Sequence, residues 1–393
     1  MQTLSLSTVE KILPRCPHAG ICGGCASQHV PYEIQLLEKE KKLQELFPEV
    51  EISPIIGAED PWRYRGKMEF SFRQDKEKNY YLGLMRVNGR GRVENIDECF
   101  IAPKWMHEAL TRCRAWWQTT KLEAFFPPKE SGSLRTLTLR SGKGGESQMV
   151  ILTVSGKAEA ALSQEEIDSF KEALSITPNT SIYLIIHRAK KGEPTRFYEM
   201  HLKGPSYLEE TLFEKPLRLS PQAFFQPNVP MAHKMFSAAI EMLELSGKEK
   251  VLDLCCGIGT IGIALSPYVA QVIGVELSIE AVTDGRENIE RLGLENIQLF
   301  AQDAGAFLKT NRALFQPDII VVDPPRTGLG KEIIRYLEEI SPEKILYVSC
   351  NPKTQKEDID YLKGYEILSM RPFDQFPHTP HMENLALLRR IDR

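Results

Sequence analysis

The sequence lacks an apolar run long enough to cross a membrane, because no uninterrupted apolar stretch approaches the ~20 residues that a spanning helix needs. The first six residues, MQTLSL, also lack a basic region followed by an apolar run, so we expect no secretory signal peptide. Internal repeats and low-complexity tracts are missing as well. We therefore expect a cytoplasmic protein with no membrane partner.

A strong excess of either charge is also missing. The 49 basic and 53 acidic residues give a net charge of -4, which argues neither for nor against nucleic acid, since a local basic face can bind phosphates on an acidic protein. With 393 residues, 42% of them hydrophobic and 26% charged, the chain is long enough for two or three ordinary soluble domains. In the cytosol its eight cysteines are expected to be reduced thiols or metal ligands rather than disulfides.

Four of the cysteines are spaced as a possible ligand set. Cys16, Cys22 and Cys25 lie close together, and Cys99 follows at a distance along the chain. A three-plus-one arrangement suits an iron–sulfur cluster held by four thiolates, whereas structural zinc sites usually come as two pairs. Zinc and unligated thiols remain the alternatives, and His18 is interpreted as a loop residue rather than a ligand.

The N-terminal half, residues 1–215, has the pattern of an α+β domain. Residues 32–47 form an amphipathic pattern that predicts a helix, and we interpret its charged residues 38–42 as a solvated face. Residues 67–73 alternate with a period of two, as in a strand, and residues 134–154 read as a hairpin around a glycine-rich turn.

Basic and aromatic residues are interleaved between residues 62 and 92. Cations that bind phosphates beside flat rings that stack on bases make an RNA-binding surface plausible here, and the alternative is a charged strand face in water. The residues are Arg63, Arg65, Lys67, Arg73, Arg86, Arg90 and Arg92 with Trp62, Tyr64, Tyr80 and Tyr81.

The C-terminal half, residues 216–393, changes to alternating strands and helices. This order predicts a doubly wound parallel sheet. The predicted strands are 251–254, 271–276, 297–303, 318–323 and 344–350, with a last strand at 385–389.

A glycine-rich turn follows the first of these strands. Gly257 and Gly259 lie in a G-x-G-x-x-G pattern, and Glu276 ends the next strand, so a dinucleotide site is a fair first hypothesis. Asp253 beside the turn favours a cationic nucleoside, because a carboxylate suits the ammonium and sulfonium charges of S-adenosylmethionine better than a pyrophosphate. Asp303, at the end of the third strand, can accept a hydrogen bond from an adenine amino group.

The segment around Cys350 predicts a strand that ends on a cysteine and opens a helix. Asn351 is a good N-cap and Pro352 suits the first helical position, so the helix end is expected to stabilise a nucleophilic thiolate at Cys350. A small buried hydrophobic residue is the alternative. Asp323, which ends the fourth strand, and Glu383 can converge with Cys350 on one cleft, as covalent catalysis with a general base requires.

Together these motifs resemble the RNA uracil-C5 methyltransferase family, specifically its iron–sulfur 23S ribosomal RNA branch (RumA type). The resemblance covers nearly the whole chain and is most specific in Asp323–Arg326 (DPPR), Ser349–Pro352 (SCNP) and Phe376–Thr379 (FPHT) with Glu383. It implies a Rossmann-like class I methyltransferase domain, an α+β central RNA-binding domain and an N-terminal iron–sulfur loop. Residues 32–47 are expected to pack on the catalytic domain.

The resemblance also implies residue roles. Cys350 would be the nucleophile and Glu383 the base that removes the C5 proton. Cys16, Cys22, Cys25 and Cys99 would hold a [4Fe–4S] cluster. The residues expected to bind S-adenosylmethionine are Gln226, Asp253, Cys255, Gly257, Gly259, Thr260, Glu276, Asp303 and Asp323, the last of which would contact either the donor or the uracil.

The expected substrate is a looped-out uridine of 23S ribosomal RNA, modified by a monomeric enzyme. A transfer-RNA uracil-C5 methyltransferase, an amide- or amine-directed methyltransferase and a non-catalytic iron–sulfur RNA-binding protein are the alternatives. Two features depart from the family: only fifteen residues precede Cys16, so the N-terminal RNA-binding barrel of larger members is expected to be absent, and Cys255-Cys256 stands where relatives often have an aromatic residue before the cysteine.

Overall fold

The structure, a computed structural model, describes residues 11–89, 91–189, 192–193, 195–312 and 315–391. The predictions that concern the first six residues and Arg90 therefore lie outside the described residues.

The chain divides into two compact units whose segments alternate along the sequence. The first unit contains the residues up to Val30 together with Asp60–Thr211 and Arg218–Pro221. The second contains Pro31–Glu59, Leu212–Leu217 and the residues from Gln222 onwards. The segment that includes the predicted helix 32–47 thus belongs to the second unit.

The first unit is built on a mixed sheet. Its described strands are β1 (Lys67–Gln74), β2 (Tyr80–Met85), β3 (Val93–Asn95), β4 (Leu134–Gly142), β5 (Ser147–Ser155), β6 (Thr180–Arg188) and β7 (Arg196–Lys203). They are ordered β3-β2-β1-β4-β5-β6-β7. The predicted hairpin is confirmed, since β4 and β5 pair antiparallel, while β5 and β6 pair in parallel.

Two helices of the first unit contribute to its apolar core. The alternation of β1 buries Met68, Phe70 and Phe72, as expected for a strand with one apolar face. Trp117 packs edge-on against Phe72, with ring centroids 5.0 Å apart, and Trp116 packs against Phe170 at 4.9 Å. The helices that carry these tryptophans and Phe170 are α2 (Trp105–Thr119) and α3 (Gln164–Ala173).

The second unit contains the predicted parallel sheet. Its strands are β10 (Lys250–Leu254), β11 (Gln271–Glu276), β12 (Ile297–Ala301), β13 (Ile319–Val322), β14 (Lys344–Ser349), β15 (Tyr365–Phe373) and β16 (Glu383–Arg390), and a small two-stranded sheet of β8 (Leu208–Leu212) and β9 (Lys215–Leu219) precedes them along the chain. The described order is β12-β11-β10-β13-β14-β16-β15, with β16 antiparallel to both neighbours. The carboxyl ends of the parallel strands therefore share one edge with the start of β16.

The second unit contains seven described α-helices, of which the first two precede its large sheet along the chain and the other five lie between its strands. They are α1 (Tyr32–Leu46), α4 (Val229–Leu243), α5 (Thr260–Leu265), α6 (Ile279–Arg291), α7 (Ala304–Asn311), α8 (Lys331–Ile340) and α9 (Pro352–Tyr361). All four residues of strand β13 are apolar and buried, as expected for a strand in the middle of a parallel sheet. Across the described part of the chain, no helix combines the length and the apolar character needed to cross a membrane.

Helix α1 differs from its predicted amphipathic pattern. The residues of α1 that become buried are Gln35, Lys39 and Leu43, whereas the side chain of Leu37 is 47% exposed. The interpretation of residues 38–42 as one solvated face is therefore wrong for Lys39. The buried residues are spaced four apart and therefore lie on one face of the helix. The first two of them, Gln35 and Lys39, are polar.

Candidate active site

The predicted glycine turn lies at the end of β10. Cys255, Gly257 and Gly259 adopt φ angles of 61°, 58° and 80°, in the left-handed region that glycine enters at no steric cost. A Cβ atom at Gly259 would come within 3.2 Å of Leu299, so this position also requires the close approach of the backbone. Thr260 then begins α5.

Glu276, at the end of the neighbouring strand β11, hydrogen-bonds to this turn. Its Oε2 accepts a hydrogen bond from the backbone N–H of Gly257 at 3.0 Å, and its Oε1 accepts one from the N–H of Ser278 at 2.9 Å. The predicted turn and the predicted acid on the second strand are thus in direct contact.

The carboxylate of Asp253 is buried beneath the turn. Asp253 has no exposed surface, and neither carboxylate oxygen reaches a hydrogen-bond partner within the described residues. Burial and then the charge of Asp323 raise the pKa of Asp253 to about 8. An uncompensated buried carboxylate is costly, so this site favours a cation.

The other predicted acids lie within electrostatic range of the same turn. Burial raises the pKa of the Cys255 thiol to about 12, with further contributions from the charges of Glu276, Asp323, Asp253 and Asp303. Asp303 itself is exposed and caps α7 by accepting a hydrogen bond from the N–H of Ala306 at 2.9 Å. The structure therefore groups these acids around one turn.

Gln226 lies against a different segment. The Oε1 of Gln226 accepts a hydrogen bond from the Nε2 of Gln375 at 3.1 Å. Asn228 extends this contact, because its Nδ2 donates to the backbone oxygen of Gln375 at 3.1 Å. The predicted donor-binding residue is thereby linked to the loop that precedes Glu383, a contact that the sequence does not predict.

Cys350 occupies the predicted position between β14 and α9. Asn351 caps α9 by accepting a hydrogen bond from the N–H of Lys353 at 3.3 Å, and Pro352 is the first helical residue. The Nδ2 of Asn351 also donates to the backbone oxygen of Arg326 at 3.0 Å. The helix that follows the thiol is in this way joined to the end of the DPPR motif.

Asp358, on α9, hydrogen-bonds to the loop that follows the DPPR motif. Its Oδ2 accepts hydrogen bonds from the hydroxyl of Tyr347 at 2.6 Å and from the N–H of Leu329 at 2.8 Å. A Cβ atom at Gly328 would lie 2.6 Å from that oxygen, so only glycine leaves room for the carboxylate. The sequence did not predict a role for Asp358, because a buried acid and an exposed acid in a polar helix look alike in sequence.

Strand pairing places Cys350 and Glu383 next to one paired position. Ser349 of β14 pairs with Asn384 of β16, the last pair of their antiparallel ladder. Cys350 follows Ser349 along the chain and Glu383 precedes Asn384. The charge of Glu383 contributes to raising the pKa of the Cys350 thiol, which agrees with this proximity.

The surroundings of both groups raise their pKa values. The pKa of Cys350 is raised by burial and then by the charges of Glu383 and Asp323, while a backbone hydrogen bond at Cys350 acts in the opposite direction, as predicted for a thiol at a helix start. Burial and Asp323 also raise the pKa of Glu383 well above its ordinary value. The charge of Arg326 opposes both shifts.

Asp323 stands between the donor turn and this pair. It follows β13 directly, and its N–H donates to the backbone oxygen of Leu254 at 3.2 Å. Burial and the charge of Glu276 raise the pKa of Asp323 to about 7. The charge of Asp323 raises the pKa values of Asp253, Cys350 and Glu383. Asp323 therefore lies close to both the predicted donor site and the predicted nucleophile.

The four predicted ligand cysteines are grouped in the first unit. Burial raises the pKa of Cys25 to about 12 and that of Cys99 to about 11, and in each case other members of the set raise it further. Cys16 and Cys22 complete the group. Among the residues that the structure describes, however, no three His, Cys, Asp or Glu side chains are arranged as a metal-binding group.

The loop that carries three of these cysteines is held by backbone contacts. The N–H of Cys22 donates to the backbone oxygen of His18 at 3.0 Å, and the N–H of Gly23 donates to that of Met85 on β2 at 2.8 Å. His18 is buried, and its Nε2 accepts a hydrogen bond from the N–H of Asp97 at 3.4 Å. This supports the interpretation of His18 as a loop residue.

Several residues of the predicted RNA surface serve the fold instead. Arg63 donates to the backbone oxygens of Cys99 at 2.9 Å and Ala102 at 3.0 Å. Tyr64 is buried, and Tyr80 packs on the core residue Trp117 with ring centroids 4.6 Å apart. These residues are therefore not displayed for stacking.

Among the described arginines of the predicted RNA surface, Arg86 and Arg92 are exposed. Arg86 is 44% exposed at its side chain and lies 3.4 Å from Glu94, and Arg92 follows in an exposed turn. These two arginines lie on the exposed part of the basic stretch.

Comparison with known proteins places these motifs in one family. Residues 206–391 match the family described as tRNA (Uracil-5-)-methyltransferase. An uncharacterized RNA methyltransferase of Protochlamydia amoebophila is 40% identical, with 99% of this chain and 93% of the relative covered. Another, from Staphylococcus epidermidis, is 31% identical, with 97% and 84% covered.

A solved structure is also similar. It is the Pyrococcus abyssi tRNA (uracil-54, C5)-methyltransferase in complex with S-adenosyl-L-homocysteine. The TM-score is 0.73 at 28% sequence identity, and the match covers 93% of this chain and 86% of that one.

Proposed function

The chain belongs to the RNA uracil-5-methyltransferase family and is an S-adenosylmethionine-dependent RNA methyltransferase; from this membership we propose that it methylates C5 of a uridine in 23S ribosomal RNA through a covalent adduct with Cys350. Glu383 is the general base in this proposal. The observation that carries it is the pairing of Ser349 with Asn384, the chain neighbours of Cys350 and Glu383. A nucleophile and a base on facing strands can act on adjacent atoms of one pyrimidine ring.

The reaction needs both residues because uracil C5 is a poor nucleophile. The Cys350 thiolate adds to C6, and the electron pair of the C5–C6 double bond makes C5 an enolate carbon that attacks the methyl group. When bound, S-adenosylmethionine would supply that methyl group as an electrophile, with its sulfur–methyl bond breaking and S-adenosylhomocysteine leaving. Glu383 then takes the proton from C5, the C5–C6 double bond reforms, and the bond between the Cys350 sulfur and C6 breaks.

The charges around Cys350 and Glu383 affect how readily each group ionises. Burial and nearby carboxylates raise the pKa of Cys350 and that of Glu383. Cationic charge next to them favours their ionised forms, and Arg326 already acts in that direction. Nucleophile and base are therefore activated by the charges around them rather than by the helix end alone.

The donor pocket fits a cationic nucleoside. The buried carboxylate of Asp253 has no hydrogen-bond partner within the described residues, and the sulfonium and ammonium charges of S-adenosylmethionine would compensate it. Glu276 would accept hydrogen bonds from ribose hydroxyls and Asp303 from the adenine amino group. Gln226, Cys255, Gly257, Gly259, Thr260 and Asp323 would complete the pocket.

The test of this mechanism uses two variants with opposite signatures. In Cys350→Ala no adduct can form, so methylation of RNA is expected to be lost. In Glu383→Gln the adduct forms but proton removal fails, so a covalent protein–RNA complex is expected to accumulate on denaturing gels. Full activity of Cys350→Ala would refute the covalent route.

A transfer-RNA substrate is the second candidate. The similarity to a tRNA (uracil-54, C5)-methyltransferase favours it, whereas the four grouped cysteines favour the 23S ribosomal branch. Mapping 5-methyluridine in ribosomal and transfer RNA from cells with and without the protein decides between them. Loss of the modification from transfer RNA alone would overturn the ribosomal assignment.

We further propose that Cys16, Cys22, Cys25 and Cys99 hold a [4Fe–4S] cluster and that the surrounding first unit binds the RNA as part of a monomeric enzyme. The support is the chemistry of the donor set: the pKa values of Cys16, Cys25 and Cys99 are raised first by burial and then by other cysteines of the set, which places the thiols close together. When bound, such a cluster would fasten the loop from Cys16 to Cys25 onto the segment of Cys99. Exposed Arg86 and Arg92 would contact phosphates nearby.

A further inference from the structure

The buried face of α1 is polar over its first two turns. Tyr32, Gln35 and Lys39 are spaced by three and four residues and thus share one side of the helix. Gln35 and Lys39 are each only 2% exposed. A lysine is almost never fully buried unless it is paired, so this face requires a specific partner.

That partner is Asp374, which has no exposed surface. The Nζ of Lys39 lies 2.5 Å from its Oδ1, and the hydroxyl of Tyr32 donates to its Oδ2 at 2.8 Å. The same hydroxyl accepts a hydrogen bond from the N–H of Ala58 at 2.8 Å, and the N–H of Asp374 donates to the backbone oxygen of Ile56 at 2.9 Å. Both carboxylate oxygens are therefore occupied.

Helix α1 also holds the segment after Asp374. Lys39 donates to the backbone oxygen of Phe376 at 3.3 Å. The Oε1 of Gln35 accepts a hydrogen bond from the N–H of His378 at 3.1 Å. His378 has a φ of 64°, a left-handed conformation that costs free energy in a non-glycine residue and persists only where the surroundings impose it.

This segment leads directly to Glu383. Phe373, the residue before Asp374, is the strand partner of Glu383 in the ladder between β15 and β16. The chain from Phe373 to Glu383 is thus a closed loop whose two ends are paired and whose first half is fixed by α1. A shift of Asp374 would move the strand partner of Glu383.

We propose that Tyr32, Lys39 and Asp374, here called the α1 clamp, are positioning residues that set the carboxylate of Glu383 for removal of the C5 proton. The inference rests on the proposed role of Glu383. A clamp with a purely structural role would lower stability without changing any particular step of the reaction. A positioning clamp instead affects the step that follows methyl transfer.

Two variants loosen the clamp without leaving a buried charge unpaired. Tyr32→Phe removes one hydroxyl, and the double variant Lys39→Met with Asp374→Asn removes both charges. We expect the kcat of each to fall about 10- to 100-fold, since a misplacement of about 1 Å can cost about 10²-fold in rate. The KM values for RNA and S-adenosylmethionine are expected to stay near those of the wild type.

The distinguishing readout is the covalent protein–RNA adduct during turnover, measured on denaturing gels. Slow proton removal makes the adduct accumulate, so both clamp variants are expected to show more of it than the wild type. Lys41→Met is the matched control, because Lys41 lies on α1 with its side chain 61% exposed. It is expected to behave as the wild type.

The outcomes separate this inference from the proposed function. If Glu383→Gln traps the adduct while both clamp variants show wild-type adduct levels, the clamp has no positioning role. A fall in kcat without added adduct also overturns the positioning role. If Glu383→Gln itself traps nothing, the proposed mechanism fails first.

Discussion

The Nδ2 of Asn384 donates a hydrogen bond to the Oε1 of Gln355 at 2.7 Å, and both residues are fully buried. Gln355 lies one turn into α9, the helix that follows Cys350, and Asn384 is adjacent to Glu383. The Nε2 of Gln355 also donates to the backbone oxygen of Tyr347 at 3.1 Å. This pair of amides thus joins the helix of the nucleophile to the strand of the base.

Gln355→Leu is expected to lower the free energy of unfolding by about 1–3 kcal/mol, because the change leaves buried partners of the amide unpaired. Chemical denaturation measures this. Glu357→Gln, an exposed change on the same helix, is expected to stay within about 0.5 kcal/mol of the wild type. Equal stability of the two variants would mean that the amide pair contributes nothing.

Arg326→Met is expected to shift the pH dependence of the reaction to higher pH. The charge of Arg326 lowers the pKa values of Cys350 and Glu383, so its loss raises both. The thiolate and the carboxylate are the reactive forms, and the rising limb of kcat/KM for RNA reports their pKa values in the free enzyme.

The pH profile of kcat/KM measures this shift. Lys353→Met, which removes another exposed cation close to Cys350 in sequence, is the control and is expected to leave the limb unmoved. A uniform loss of kcat/KM at all pH values in Arg326→Met would contradict the electrostatic role.

Binding of S-adenosylmethionine is expected to strengthen as pH rises from about 6 to about 8. Asp253 and Asp323 have pKa values raised to about 8 and about 7, so each is largely protonated below its own value in the ligand-free chain. A bound cation favours the ionised carboxylates, and binding near pH 7 therefore releases protons.

Titration calorimetry in buffers of different ionisation enthalpy measures the released protons. Asp253→Asn is the matched variant: it removes one of the two titrating groups, so it is expected to bind more weakly and to release fewer protons. Identical heats in all buffers for the wild type would refute the prediction.

Protein purified without oxygen is expected to be brown and to absorb near about 400 nm, as cysteine-ligated iron–sulfur clusters do. Cys25→Ser removes one proposed ligand and is expected to lose this absorbance. Cys113→Ala is the control, because Cys113 is fully buried in the apolar core of the first unit. A colourless wild-type protein with bound zinc would rule out the cluster.

The sequence was sufficient to predict the local features of the candidate site. The glycine turn between Asp253 and Thr260, the thiol of Cys350 at the end of a strand and the Asn351 cap all depend on residues close together in the chain. Their periodicity, φ preferences and capping chemistry are therefore readable without the fold. The helix at residues 32–47 was predicted for the same reason.

The tertiary structure alone decided which distant groups meet and in which direction their pKa values shift. Pairing of Ser349 with Asn384 brings their chain neighbours Cys350 and Glu383 near each other, and no pattern within either strand specifies that register. Lys39 looks like a solvated charge in its helix and is buried only because Asp374 lies opposite it. The pKa of Cys350 is raised because folding removes water and gathers carboxylates around the thiol, and both effects arise between residues far apart in sequence.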